Sequence, residues 1–586
     1  MPPALDHAST SATVRGLTRL WRPRSDQSHS GSLTDRVLAA RGLATPDEMQ
    51  RFLSPSLLGL HDPSGIPDLD RAATRILKAV NADEPIVIYG DYDVDGATAT
   101  AILYHTITAI APDARLSSYI PHRLEEGYGL NDDALRQLAG EGAKVVITVD
   151  CGITATAQAE LARSLGLDLI ITDHHNPPAS ADDVPDAYAV VHPRLPGSGY
   201  PFGELCGAGV AYKLAWRLCT MSCGSEKVPP PLRTLLVDLL GLAALGSIAD
   251  VVPLVDENRV IARHGLGRIR TSRIEGLREL VTACRLDSDR VSSEDVGFRL
   301  APRLNACGRM GHARDTVELL TTATGARARE IAEQLSSQND ARRAVEKEIL
   351  DRACELAEQA GMTGPERRAI VLACEGWHPG VVGIVCSRLV ERYARPAILL
   401  NRDGNMCAGS GRSLEGFNLH AALDACQEHL ATFGGHDMAA GLRLDADRLD
   451  AFTDALIDYT NARLTPEDLV RPLSYDTTAE LGELTPQAVA QLAELEPFGA
   501  GNPPVRVRLA GCRQSAAPLA FGKAGNHLSV HIADERTSLR VIGWRWAERI
   551  ADLAGKPELD LIVEPKISTF NGQTRVEPVL VDARPC

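Results

Sequence analysis

The chain has 586 residues, 44% hydrophobic and 24% charged, with 61 basic against 77 acidic side chains. At roughly 150 residues per domain it holds three or four domains, and a net charge of −16 excludes loose, field-driven binding to duplex DNA, so any nucleic-acid path has to be local. No apolar run reaches the roughly 20 residues of a membrane span and no apolar h-region opens the chain; the 13 scattered cysteines read as reduced thiols of a cytoplasmic protein.

Residues 1–35 are rich in Ser, Thr, Pro and Arg, and a disordered tail is expected there. The stretch to about residue 80 reads as short helices broken by Pro. From Pro85 the pattern becomes strand–helix alternation, with strands expected at 86–89, 115–120, 144–149, 168–172 and 188–192 and helices at 97–110, 132–139 and 154–165. That order predicts a doubly wound, mostly parallel α/β sheet, which binds ligands beyond the carboxyl ends of its strands. Residues 207–285 are richly helical, and this first domain is expected over 36–325. One helix is expected over 326–362: Ile331, Leu335, Val345, Ile349, Ala353 and Leu356 keep an apolar face of helical period, so it could connect two lobes.

A second α/β lobe is expected over 363–465. Its strands are placed at 369–374 and 396–400, its helices at 381–393 and 448–463, and 407–413 reads as a Gly-rich turn. The last domain, 466–586, contains a linker at Glu496-Pro497-Phe498-Gly499-Ala500-Gly501-Asn502-Pro503-Pro504. After it the period becomes two, with strands at 505–509, 527–532, 539–544, 559–567 and 574–581, and Asn571-Gly572 signals a type I′ hairpin. A run of short strands this dense predicts a small OB-type barrel. Phe521, Lys523, Arg540, Trp544, Arg545, Trp546, Lys566, Phe570 and Arg575 interleave aromatic and basic character there, the pattern of base stacking with backbone tracking. Trp544 and Trp546 share a face by alternation and could equally be core.

The densest chemistry lies at strand ends. Gly90-Asp91-Tyr92-Asp93-Val94-Asp95-Gly96 closes the first strand, Asp150 the third and Asp173-His174-His175 the fourth, while Leu245-Gly246-Ser247-Ile248-Ala249-Asp250 ends an apolar run in another acid. Side chains alternate along an extended chain, so Asp93 and Asp95 can reach one metal or bridge two. A single strand-end Asp is an ordinary cap or turn acid. Acids and a His pair converging on one sheet edge instead suit hard divalent cations, Mn²⁺ or Mg²⁺. Two such cations could activate water and hold a scissile phosphate.

Taken together, D-Y-D-V-D-G, V-D-C-G, D-H-H and G-S-I-A-D resemble the four motifs of the DHH phosphoesterase superfamily. Ala301–Met310 (A-P-R-L-N-A-C-G-R-M), G-W-H-P-G-V-V-G-I-V from Gly376, G-S-G-R-S from Gly409, F-G-G-H from Phe433 and E-P-F-G-A-G-N-P from Glu496 are similar to RecJ exonucleases, in order, over about residues 32–586. The resemblance implies a DHH lobe, a DHHA1-like second lobe and a 5′→3′ single-strand DNA exonuclease. Such an enzyme releases mononucleotides in recombination and repair, with two divalent cations. It assigns metal binding to Asp91, Asp93, Asp95, Asp150, His174, His175 and Asp250, with Asp93 and Asp95 favoured as direct ligands and Asp91 peripheral or bridging. It also implies that Arg123 holds a phosphate and Tyr128 lies near the bases, that the second lobe senses the 5′-phosphate, and that His436, after Gly434 and Gly435, binds phosphate or protonates a leaving group.

Residue chemistry adds Arg303, Asn305 and Arg309 as polar groups in an apolar, Gly-flanked loop, the arginines matching phosphate bidentately. Ser410, Gly411 and Arg412 sit where turn N–H groups could cradle an anion. A groove between lobes is expected to admit one strand and exclude a duplex. Single-stranded DNA is the expected partner, with a single-strand-binding protein and a helicase beside it, no membrane, and a monomer as the working unit. Two other readings stay open: a phosphodiesterase of the same superfamily acting on short oligonucleotides or cyclic dinucleotides, and a non-catalytic replication scaffold. The barrel argues against the first and the intact acids against the second.

Overall fold

The computed structural model describes residues 13–586 except 28, 123–125, 128, 311 and 571–572. Arg123, Tyr128 and the Asn571-Gly572 turn therefore lie outside the described residues. The chain divides into two compact units. One comprises Ser54–Arg342 with Glu496–Pro503; the other comprises the chain up to Leu53, Arg343–Leu495 and Pro504–Cys586.

Part of the expected N-terminal tail is folded. Strand β1 (Val14–Arg15) pairs antiparallel with β2 (Leu20–Pro23), and β2 runs parallel to Pro472–Tyr475. Trp21 explains the difference: it is fully buried, and its indole N–H donates to Asp582 Oδ2 at 2.7 Å. Helices α1 (Leu33–Ala40), opened by a Ser32–Asp35 capping box, and α2 (Pro46–Leu53) follow.

In the first unit α3 (Leu69–Asn81) leads into β3 (Ile86–Gly90), α4 (Val94–Ile110), β4 (Leu116–Tyr119), α5 (Asp132–Gly140), β5 (Val145–Val149), α6 (Thr156–Ser164), β6 (Asp168–Thr172) and β7 (Ala189–Val191). The five strands run parallel in the order β4-β3-β5-β6-β7. Each face of the sheet is covered. Ile86, Ile88 and Ile147 face the core formed with α3, α4 and the helices that follow, while Val87, Tyr89 and Val146 face the core under α5 and α6. Such double burial is what makes parallel strands read as continuous apolar runs.

The helical stretch comprises α7 (Gly207–Cys223), α8 (Pro230–Ala249), α9 (Asp256–Ile269) and α10 (Glu275–Ala283). Helix α8 is long and apolar enough to cross a membrane by length and composition, although Arg233 and Asp238 interrupt its apolar run. Here it is a core helix, with Leu239, Leu242 and Leu245 fully buried. The stretch 301–310, expected as a loop, is a helix that continues a π-turn at Val296–Leu300. Pro302 has no N–H and crowds the preceding turn, and the wider π-turn absorbs it. The expected linker also differs: Glu496–Pro503 packs with this unit, through Leu254 N–H to Ala500 O (2.7 Å) and Ser293 Oγ to Phe498 O (2.6 Å).

The long helix spans Gly325–Gln359, and Arg342/Arg343 is the division between units. In the second unit a five-stranded sheet has the order Thr432–Gly435, Ala439–Asp445, Met406–Arg412, Ala397–Asp403, Ile370–Glu375, antiparallel except for the last pair. The supposed Gly-rich turn is thus a central strand. Gly409 is required there by its neighbour, because a Cβ would lie 2.0 Å from Leu399 O. The barrel is closed by five strands, Val507–Phe521, His527–Ala533, Ser538–Gly543, Val579–Pro585 and Glu558–Glu564, the last pairing back to the first. The first strand is longer than expected. Irregularities at Leu509/Cys512 and Gln514/Ala516 bend it so that its two halves pair with different neighbours.

Candidate metal centre and nucleic-acid contacts

The carboxyl ends of β3, β5 and β6 and the C-terminus of α8 bring the predicted acids together. Asp93 is the N-cap of α4, its Oδ1 accepting the N–H of Asp95 (2.8 Å) and Gly96 (3.2 Å). Asp95 is buried with both oxygens on the first turn of α7: Gly207 N–H donates to Oδ2 (2.6 Å) and Ala208 N–H to Oδ1 (2.8 Å). A helix N-terminus favours a carboxylate in this position. Asp150 is buried in the left-handed region at φ 64°, sparsely populated by residues other than Gly but tolerated by Asp. Asp250 caps α8.

His174 stands at the centre. Its Nε2 lies 3.0 Å from Asp150 Oδ1, 3.6 Å from Asp250 Oδ2 and 3.7 Å from Asp95 Oδ2. This buried nitrogen makes no hydrogen bond among the described residues. Three overlapping donor sets result, each with its ligand atoms within 4.8 Å of one another: Asp150, His174 and His175; Asp95, His174 and Asp250; Asp91, Asp93 and Asp150. Asp91, expected to be peripheral or bridging, lies with Asp93 and Asp150 in the third set. All seven predicted ligands belong to one cluster, and oxygen donors with one or two imidazoles fit a hard divalent cation.

The electrostatics point the same way. Burial, then mutual repulsion, raises Asp93 and raises Asp150 well above the carboxylate range, Asp95 being the first repelling neighbour of each. Asp250 is pushed up to about 8 by burial, then by Asp95 and Asp93. Burial lowers His174. Acids this crowded bind protons or cations in place of staying bare.

Asp173 is the residue whose job the sequence did not reveal. Its Oδ1 accepts the N–H of His174 (2.7 Å) and His175 Nδ1 (2.8 Å), and its Oδ2 accepts Ile153 N–H (2.9 Å). Burial opposes the charge on both partners, but the hydrogen bonds win, drawing Asp173 down to about 2 and His175 up to about 9. This is the arrangement by which a carboxylate fixes the orientation of a ligating imidazole. Two glycines shape the same cluster from behind. A Cβ on Gly207 would lie 2.6 Å from the Asp150 Cβ, and one on Gly246 would lie 2.6 Å from Asp95 Oδ1.

The predicted phosphate ligands divide. Asn305 Oδ1 accepts Val94 N–H (3.1 Å), so it braces the turn into α4. Arg303 donates to Ser336 Oγ (3.0 Å) and Arg299 O (2.7 Å), and Arg309 is half-buried on the same helix. In the second unit Ser410 and Gly434 line one groove of about 440 Å³ together with Asn401 and Arg443, a cation the sequence reading passed over. Ladder pairing engages the backbone of Ser410, Gly411 and Arg412, and Arg412 Nη1 donates to Gly411 O (2.8 Å). Gly434, Gly435 and His436 are exposed.

On the barrel, Trp544 and Trp546 follow the strand and do not share a face of it, because the chain turns at Arg545 (φ 61°). Trp544 is 55% exposed and stands edge-on to His527, with Phe521 beside both and Arg540 over the Phe521 ring at 5.2 Å. Trp546 is half-buried against Gly543.

Residues 85–246 match the N-terminal domain of the DHH family, 366–462 the DHHA1 domain and 475–582 the RecJ OB domain. The single-stranded-DNA-specific exonuclease RecJ of Bacillus subtilis is 38% identical over 564 residues, 95% of this chain and 69% of that protein. The crystal structure of RecJ from Thermus thermophilus in complex with Mn²⁺ is similar with a TM-score of 0.78 and 33% identity, over 94% of this chain and 75% of that one. The Mg²⁺ complex from the same organism gives a TM-score of 0.72 and 31% identity, over 94% and 74%.

Proposed function

Because the chain belongs to the RecJ family of single-stranded-DNA-specific exonucleases, we propose that it hydrolyses single-stranded DNA from the 5′ end to mononucleotides, in recombination and repair. The observation that carries this reading is the convergence of Asp91, Asp93, Asp95, Asp150, His174, His175 and Asp250 into overlapping donor sets at one sheet edge. Divalent cations, Mn²⁺ or Mg²⁺, would be held there, with Asp150 and His174 common to more than one set. When bound, they supply Lewis acidity to the phosphodiester and lower the pKa of water.

The chain's own residues do the rest. Asp173 holds the His175 ring through Nδ1, the α7 N-terminus fixes Asp95, and Asn305 holds the Val94 turn against the adjoining helix. Phosphate recognition falls to Arg123, Arg303 and Arg309 in the first unit. In the second it falls to the groove of Ser410, Gly434 and Arg443, with Gly411, Arg412, Gly435 and His436 around it. Tyr128 stacks near the bases. The exposed Trp544–His527–Phe521 cluster on the barrel fits base stacking. A single-strand-binding protein and a helicase are the partners such an enzyme needs to be supplied with a bare strand, and the monomer is its working unit in the cytoplasm. Incubation of a single strand and of a blunt duplex with Mn²⁺, read by chromatography, tests the reading. Mononucleotides from the strand alone are expected; equal digestion of the duplex would refute it.

A further inference from the structure

We propose that the first unit carries a second phosphate-binding site, remote from the metal centre, in the cavity lined by Arg233, Arg268 and Arg273. This cavity of about 280 Å³ lies where the N-terminal half of α8 meets the end of α9, and Thr234, Thr271 and Asp238 complete its polar lining. Arg233 is 17 residues from Asp250 along α8, about 25 Å at 1.5 Å per residue, so the occupant is not the scissile phosphate.

The three guanidinium groups are exposed, and none has a side-chain hydrogen bond or ion pair among the described residues. Their neighbours differ: Arg270 donates to Leu286 O (2.7 Å) and Arg278 to Ser272 O (2.5 Å), and Arg217 pairs with Asp70 at 2.7 Å. In a chain with 77 acids against 61 bases, three like charges around one cavity without a counterion call for an external one. The single acid in the lining is largely buried and engaged. Asp238 Oδ2 accepts Ser272 Oγ (3.1 Å) and Arg273 N–H (3.0 Å), which fixes the turn carrying Arg273. Planar, fixed donor forks beside threonine hydroxyls match phosphate oxygens, and the volume suits one or two phosphate groups and no folded partner.

That chemistry has two sources, a backbone phosphate of the strand or the phosphate of a released nucleotide. The backbone is the assignment made here, and it rests on the nuclease reading. The test compares the full-length protein with R233Q/R268Q/R273Q in EDTA, by fluorescence anisotropy of 3′-labelled oligothymidylates 4 and 20 nucleotides long across a salt series. The long strand is expected to bind about tenfold more weakly, with a salt slope shallower by about two, at about 0.7 per lost contact. The short strand should bind unchanged, and R233Q/R268K/R273Q should recover part of the loss. Calorimetry with thymidine monophosphate forms the second arm. Loss of a nucleotide-binding event in the variant, with strand binding unchanged, assigns the site to released product. Unchanged strand binding together with unchanged nucleotide binding overturns the site. Wild-type protein that binds no strand at all would instead refute the nuclease reading, and the calorimetric arm would still decide the site.

Discussion

Gly207→Ala tests the metal centre from behind. The added Cβ would lie 2.6 Å from the Asp150 Cβ and 2.8 Å from its Oδ1, while Gly207 N–H is itself a 2.6 Å donor to Asp95. Carbon atoms settle at roughly 3.5–4.0 Å, so Asp150 or the first turn of α7 has to move by about 1 Å. Overpacking of this kind costs about 1–3 kcal/mol of stability. A displacement of about 1 Å among catalytic groups costs about a hundredfold in rate, or about 2.7 kcal/mol of activation free energy. The assay is kcat/KM on a long single strand in Mn²⁺, with the metal-free melting temperature beside it. Gly209→Ala is the control, since the nearest atoms to its Cβ belong to the Leu205 side chain, at 3.2 Å, and it should keep most activity. A Gly207→Ala enzyme within about threefold of wild type would refute the claim that Asp150 and Asp95 are held in place by this contact.

Three further outcomes follow from the same geometry. Asp150→Ala abolishes cleavage without unfolding the protein, because burial and then Asp95 and Asp93 already disfavour its charge. Mn²⁺ at about a hundred times its Kd should stabilise wild type by about 2.7 kcal/mol and this variant by less; equal shifts in a melting scan would count against Asp150 as a ligand. Asp173→Asn lowers activity or metal affinity about 10–100-fold by freeing the His175 ring, and unchanged Mn²⁺ titration and turnover would sink its orienting role. Arg412→Ala weakens the preference for 5′-phosphorylated over hydroxyl ends, and Arg443→Ala does so at least as strongly because it lines the groove; an unchanged ratio of the two cleavage rates rejects end sensing there.

The convergence of acids at the candidate metal centre was legible because its logic is local. Each acid ends an apolar run, and a parallel sheet collects run ends at one edge, as Asp91, Asp150 and Asp173 show. What stayed hidden depends on neighbours distant in sequence. Gly409 reads as a turn residue, yet it is demanded by Leu399 O on the adjacent strand. Gly308 reads as a loop breaker, yet it lets its helix approach Tyr92, with a Cβ there only 2.8 Å from Tyr92 O. Asp173 was grouped with the His pair by sequence, but only its contacts with Ile153 and His175 separate an orienting carboxylate from a ligand. Trp21 sits in a stretch of tail-like composition and is buried because Asp582, at the other end of the chain, receives its indole. The three arginines around the α8–α9 cavity come from two separated segments and carry no motif.

The most direct test uses one long single strand labelled at its 5′ end in one reaction and its 3′ end in another, with purified protein and Mn²⁺. Immediate release of the 5′ label as mononucleotide, with the 3′ label released only after a delay, is the predicted result. Release from the 3′ end first, or cleavage confined to dinucleotides, would contradict the account.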